Sequence, residues 1–172
     1  MYKKNVGWKF DNTYSQLPKS MFTRLNLKPF KSPKVILFNH SLSKEIELDF
    51  SSLNNEEIAL IFSGNQLPKG SEAIAQAYAG HQFGHFTILG DGRALVLGEH
   101  VSKNNKRHDI QFKGSGRTPY SRNGDGKAAL GPMLREYIIS EAMHNLGIPT
   151  SRSLAVVKTG EIVMRENPLQ GA

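Results

Sequence analysis

The chain has 172 residues, 38% of them hydrophobic and 22% charged, enough apolar material for a folded domain with a core and too much for a disordered tail. Its 22 Lys and Arg against 15 Asp and Glu give a formal net charge of +7, which calls for an anionic partner without choosing among nucleotides, nucleic acid and acidic surfaces. The absence of cysteine excludes a disulfide framework, a thiolate zinc site and a cysteine nucleophile; with no bilayer-length apolar run, a soluble, cytoplasmic protein is expected.

In chain order, the first fifty residues carry polar turns, prolines at Pro18, Pro29 and Pro33, and one short apolar run, Val35 to Phe38, that reads as a strand. Trp8 and Phe10 read as packing residues of this stretch. A helix is expected over Ser52 to Phe62, with Asn54 or Asn55 as cap and Glu56 and Glu57 in its first turn. A small-residue helix is expected around Ser71 to Tyr78. Short apolar runs then alternate with glycine clusters and predict strands at Phe86 to Leu89, Ala94 to Leu97, Asp109 to Phe112, Ser153 to Val157 and Ile162 to Met164. Between the third and fourth lies one strong helix, Pro132 to Leu146, opened by a first-turn proline and closed by Gly147. The order predicts an α+β fold with a largely antiparallel sheet, the order also found in a protein-kinase N-lobe.

Three segments carry candidate chemistry. In LGDGRALVLGEH, Leu89 to His100, Gly90 and Gly92 allow backbone N–H groups to approach a phosphate and Arg93 can reach its oxygens; the rival reading is an ordinary hairpin turn. In DIQFKGSGRTPYSRNGDGK, Asp109 to Lys127, Lys113 ends a strand and can project a charge toward phosphates, or is simply solvated. Asn123 to Gly126 is a second tight turn, whose amides and Asp125 carboxylate face a nucleotide or nothing. The block is not a Walker A loop, because Ser121 stands where the first glycine belongs and Ala128 where the hydroxyl residue belongs. On the long helix, Glu136 shares a face with Ile139, Ser140 and Met143 and is expected to point inward, where Lys113 is a candidate partner. Glu141 competes for that role, and Arg135 or Lys127 are alternative partners for Glu136. His81 and His85 have the spacing of a zinc pair, but Gly84 disfavours a continuous helix and no third ligand is evident. Tyr120 and Ser121 offer hydroxyls for modification, although TPYS reads more naturally as a loop positioning Arg117 and Arg122.

Together YAGHQFG (Tyr78 to Gly84), LGDGRALVLGE (Leu89 to Glu99), KGSGRTPYSRNGDGK (Lys113 to Lys127) and REYIISEAMHNLGIPT (Arg135 to Thr150) resemble the selenoprotein O family. The resemblance implies a kinase-like fold that binds ATP in reversed orientation and transfers AMP, or in some members UMP, to Ser, Thr or Tyr hydroxyls of proteins. On it, Gly90, Gly92 and Arg93 match the glycine-loop nucleotide contacts, Lys113 the phosphate-binding lysine, Glu136 its ion-pair partner, and Asp125 and Gly126 further nucleotide contacts. It implies residues 1–75 as an N-terminal extension and 76–172 as a kinase-like N-lobe. It also implies Mg or Mn whose ligands, with the catalytic base, lie in a C-terminal lobe beyond residue 172. The expected partners are a nucleotide and hydroxyl-bearing protein substrates, with no membrane. The rival functions are a nucleic-acid-binding module, motivated by the basic residues from Lys103 to Lys127 but lacking an interleaved aromatic stacking set, and an incomplete chain without activity of its own.

Overall fold

The computed structural model describes residues 5–172. Contacts group the chain into two units, each drawing on both sides of residue 75. One comprises the described residues up to Gly7 with Pro29–Gln66 and Ala128–Ala172; the other comprises Trp8–Lys28 and Leu67–Lys127.

The second unit is built on a five-stranded antiparallel sheet of β1 (Phe22–Arg24), β3 (Ile74–Gln82), β4 (His85–Gly90), β5 (Ala94–Val101) and β6 (Arg107–Lys113), while β2 (Lys34–Phe38) is in the other unit. The path is β1-β3-β5-β6, with β4 also paired to β3. Phe22, Ile74 and Val96 pack together, and Leu95 and Leu97, on either side of Val96 in β5, are also buried. Residues 9–11 continue the ladder along β5: the Val101 N–H donates to the Lys9 carbonyl and the Asp11 N–H to the Glu99 carbonyl, both at 2.9 Å. Trp8 and Phe10 stack there at 5.2 Å, the packing role expected of them.

Two expectations fail in this unit. The alanine-rich stretch expected to be a helix over Ser71 to Tyr78 is strand β3 from Ile74 onward. Both of its edges are paired, to β1 on one side and to β4 and β5 on the other, and those ladders outweigh the modest helix preference of its alanines. Nor does the GDG segment turn a hairpin. Both β4 and β5 run antiparallel to β3, so they form one course along its edge. From Ala77↔Gly90 to Ile74↔Val96, β3 advances three residues while its partner advances six, and Asp91–Arg93 is therefore a three-residue bulge. The actual hairpin turn joins β3 to β4 through Phe83 and Gly84, both with positive φ.

The other unit pairs β2 (Lys34–Phe38) antiparallel with β7 (Ala155–Lys158), and β8 (Ile162–Met164) with β9 (Pro168–Gln170). Helix α1 (His40–Glu45) was not evident in the sequence; α2 (Asn55–Phe62) was. Asn54 accepts the Glu57 N–H while the Glu57 carboxylate takes the Asn54 N–H, a complete capping box. Ile58, Ala59 and Ile61 of α2 are buried, and Phe38, Phe50 and Phe62 form an aromatic cluster with centroids 4.9–5.7 Å apart. Helix α3 (Leu130–Asn145) ends as predicted: Gly147 has φ +75°, and the Ile148 N–H reaches back to the Met143 carbonyl at 3.0 Å. Its start lies two residues before Pro132, which sits in the first turn where its missing N–H costs nothing. Glu136 is exposed rather than turned inward, because α3 meets β7 and its flank through Ser140 and Glu141, and none of its residues is buried.

Candidate functional site

Six of the candidate residues, Gly90, Gly92, Arg93, Lys113, Asp125 and Gly126, lie in one unit; Glu136 belongs to the other. They converge because backbone bonds tie three segments together at one end of β5 and β6. Lys113 is the Cα partner of Ala94, the residue after Arg93. The Gly114 N–H donates to the Arg93 carbonyl at 2.7 Å, which ties the bulge to the end of β6. Beyond Lys113 the chain loops back: Ser115 bridges Lys127, and the Gly116 N–H donates to the Gly126 carbonyl at 3.2 Å.

Glycine is required at two of these positions for different reasons. Gly126 is buried at φ +69°, and a Cβ there would overlap the Gly116 carbonyl and lie 2.6 Å from the Arg117 nitrogen. At Gly90 a Cβ would strike the Tyr120 ring and sit 2.8 Å from the Gln76 carbonyl oxygen. Close packing of the Thr118–Ser121 loop is thus one reason for the glycine that ends β4, just before the bulge.

That loop is bonded to the bulge. The Thr118 hydroxyl donates to the Asp91 carbonyl and the Ser121 hydroxyl to the Gly92 carbonyl, both at 2.5 Å. The Ser121 hydroxyl accepts the Thr118 N–H at 2.8 Å. Asp91 itself is buried, and its carboxylate accepts the Gln76 N–H at 2.9 Å. Burial raises the Asp91 pKa above the ordinary aspartate value, and the Gln76 hydrogen bond opposes this in part.

The charged side chains of the site stand outward. Arg93, Lys113, Arg117 and Arg122 are all exposed, as is Asp125, whose carboxylate accepts the Lys127 N–H at 2.9 Å to hold the turn. Arg117 donates to the Arg122 carbonyl at 2.9 Å, and Arg122 lies over the Phe83 ring at 5.4 Å. Guanidinium and ammonium groups around backbone amides at a glycine bulge are suited to a phosphate-bearing anion. Among the described residues no group of three His, Asp or Glu is arranged to hold a metal ion. His81 and His85 fall on opposite faces of the β3–β4 hairpin, since His81 pairs with Phe86 and Gln82 with His85.

The sequence reading did not single out Asp91 or Thr118. Their signal is weak, because an aspartate between glycines reads as turn chemistry until the bulge is known.

Fold and site together define an α+β protein with exposed basic side chains gathered around a glycine-containing bulge. The model of the family described as Protein adenylyltransferase SelO matches residues 4–171, and the chain belongs to that family. It is 64% identical over 167 residues to Protein nucleotidyltransferase YdiU of Pelagibacter ubique, covering 97% of this chain and 35% of that protein. It is 62% identical over 172 residues to the protein of the same name from Nitrosococcus oceani, covering 100% of this chain and 35% of the relative. With the Anoxybacillus flavithermus protein of that name the identity is 64% over 168 residues, covering 98% and 35%. The chain therefore spans about 35% of the length of these curated relatives.

Proposed function

We propose that Gly90, Gly92, Arg93, Asp125 and Gly126 contact the nucleotide ATP and Lys113 its phosphates, and that the protein this chain serves transfers AMP, or UMP from UTP, to Ser, Thr or Tyr hydroxyls of proteins. The observation that carries this reading is the convergence of the bulge, Lys113 and the Asp125–Gly126 turn in one unit, joined by the Gly114–Arg93 and Gly116–Gly126 bonds. The relatives' name, protein nucleotidyltransferase, agrees with it.

In the transfer, a substrate hydroxyl oxygen bonds to the α-phosphorus, the bond from that phosphorus to the bridging oxygen breaks, and pyrophosphate leaves with the electron pair. The hydroxyl proton passes to a base outside these 172 residues, in the part of the family's length that this chain does not span. Negative charge grows on the departing pyrophosphate, and Lys113 and Arg93 oppose it by charge and hydrogen bonding. A divalent ion, Mg or Mn, would supply further charge neutralisation, with ligands that the family resemblance assigns to the part of the family's length that this chain does not span.

On this reading residues 76–172 form a kinase-like N-lobe after an N-terminal extension, and this chain by itself is an incomplete form. The absence of cysteine suits a reducing cytoplasm.

The test is label transfer by a family-length protein containing these residues. A label on the α-phosphate of ATP is expected to appear on protein, and one on the γ-phosphate is not. Transfer of the γ-label would make the protein a kinase, and transfer of neither would remove the activity.

A further inference from the structure

We propose that Asp91, Thr118 and Ser121 are positioning residues for the nucleotide, a buried latch that sets the Asp91–Arg93 bulge so that two consecutive amides face the phosphates. This inference rests on the nucleotide reading above.

The argument starts from what a bulge leaves unpaired. Three extra residues opposite β3 take backbone groups off the ladder, and buried backbone groups need partners. The latch supplies them. Gln76 keeps its carbonyl bond to the Asp91 N–H at 2.9 Å, but its own N–H is taken by the Asp91 carboxylate instead of the Asp91 carbonyl. That carbonyl is turned to the Thr118 hydroxyl, and the Gly92 carbonyl to the Ser121 hydroxyl. Asp91, Thr118 and Ser121 are 6%, 7% and 8% exposed, so these bonds are shielded from water.

The consequence for a ligand follows from the planarity of the peptide. In a trans peptide the carbonyl of one residue and the N–H of the next point in opposite directions. With the carbonyls of Asp91 and Gly92 held against the Thr118–Ser121 loop, the N–H groups of Gly92 and Arg93 are directed away from it. Two successive amides on one side make an anion-binding concavity, beside the end of β6 that carries Lys113. The Ser121 hydroxyl donates to Gly92 and accepts from Thr118, so it is engaged in the latch and is not an acceptor for group transfer.

The test compares Thr118→Val and Ser121→Ala with the conservative Thr118→Ser and Ser121→Thr in a family-length protein, reading ATP affinity by calorimetry and amide hydrogen exchange over residues 90–93. Each hydroxyl deletion is expected to speed exchange at the bulge, leave β5 protected, and weaken ATP binding about tenfold, as loss of one buried hydrogen bond implies. The conservative variants are expected to restore both. In an Arg93→Ala background the Ser121→Ala loss is expected to shrink, because the latch acts through the bulge. Faster exchange with unchanged affinity, or unchanged exchange, would overturn the latch while leaving the nucleotide reading intact. Absence of ATP binding by the unaltered protein would overturn that reading, and the latch's role with it.

Discussion

Replacing Gly126 by alanine should damage the site far more than replacing a glycine of similar φ in open surroundings. Gly126 has φ +69°, and holding alanine in the left-handed region costs about 1 kcal/mol. The added Cβ also overlaps the Gly116 carbonyl, and because the obstacle is backbone, the two strands of the loop must separate. Separation breaks the Gly116–Gly126 hydrogen bond and the Ser115–Lys127 bridge, at about 1 kcal/mol each. The expected cost is therefore about 3 kcal/mol. Gly84, at φ +80° with nothing within 4 Å of its would-be Cβ, provides the control and should cost only the conformational term of about 1 kcal/mol. Urea unfolding followed by the fluorescence of Trp8, the only tryptophan and a residue of the same unit, measures both. Equal costs for the two variants would refute the claim that the Gly126 turn is clamped against Gly116.

Arg152→Ala should destabilise the other unit by about 2 kcal/mol at neutral pH, since its guanidinium pairs with both Glu141 oxygens, at 2.9 and 2.7 Å, and with Glu45 at 2.8 Å. Arg152 holds Glu141 below the ordinary glutamate value of 4.5, so this stability is complete above that value and lost as the pH falls through the lower folded value. Chemical denaturation at successive pH values should show the gap between the two proteins closing on acidification; a constant gap would contradict the assignment. Asp91→Asn keeps an acceptor for the Gln76 N–H and removes a buried charge whose pKa is raised, so it should match or exceed the unaltered protein in thermal stability at pH 7. Because a raised carboxylate pKa costs stability above the folded value, any advantage should vanish as acid protonates Asp91, and a lowered midpoint at pH 7 would argue against this. Asn54→Ala removes one half of the α2 capping box and should cost about 1 kcal/mol in the same unfolding assay.

Much of the fold was legible where local signals agree with tertiary demand. Asn54 and Glu57 mark the start of α2 and Gly147 the end of α3, because caps and left-handed glycines act within a few residues. Strand β3 was misread because its alanines have no strand signature of their own, and one of its edges is paired to β1, about fifty residues earlier in the chain. The candidate site was recognisable through its glycines and Lys113, yet its construction was not. A three-residue bulge is invisible without the register of β3, and the Thr118 and Ser121 hydroxyls become partners of Asp91 and Gly92 only through a long-range contact. The inward orientation expected of Glu136 came from helical periodicity, which says which residues share a face but not whether that face is covered.

The most direct measurement is an ATP titration by calorimetry of a family-length protein containing these residues, beside the same protein with Lys113→Ala. Binding by the first with a loss of tenfold or more in the second, at about 1.4 kcal/mol per decade, is the result predicted for phosphates held at the end of β6. Equal binding by the two would contradict the placement of the phosphates at Lys113, and no binding by a folded protein would contradict the nucleotide site altogether.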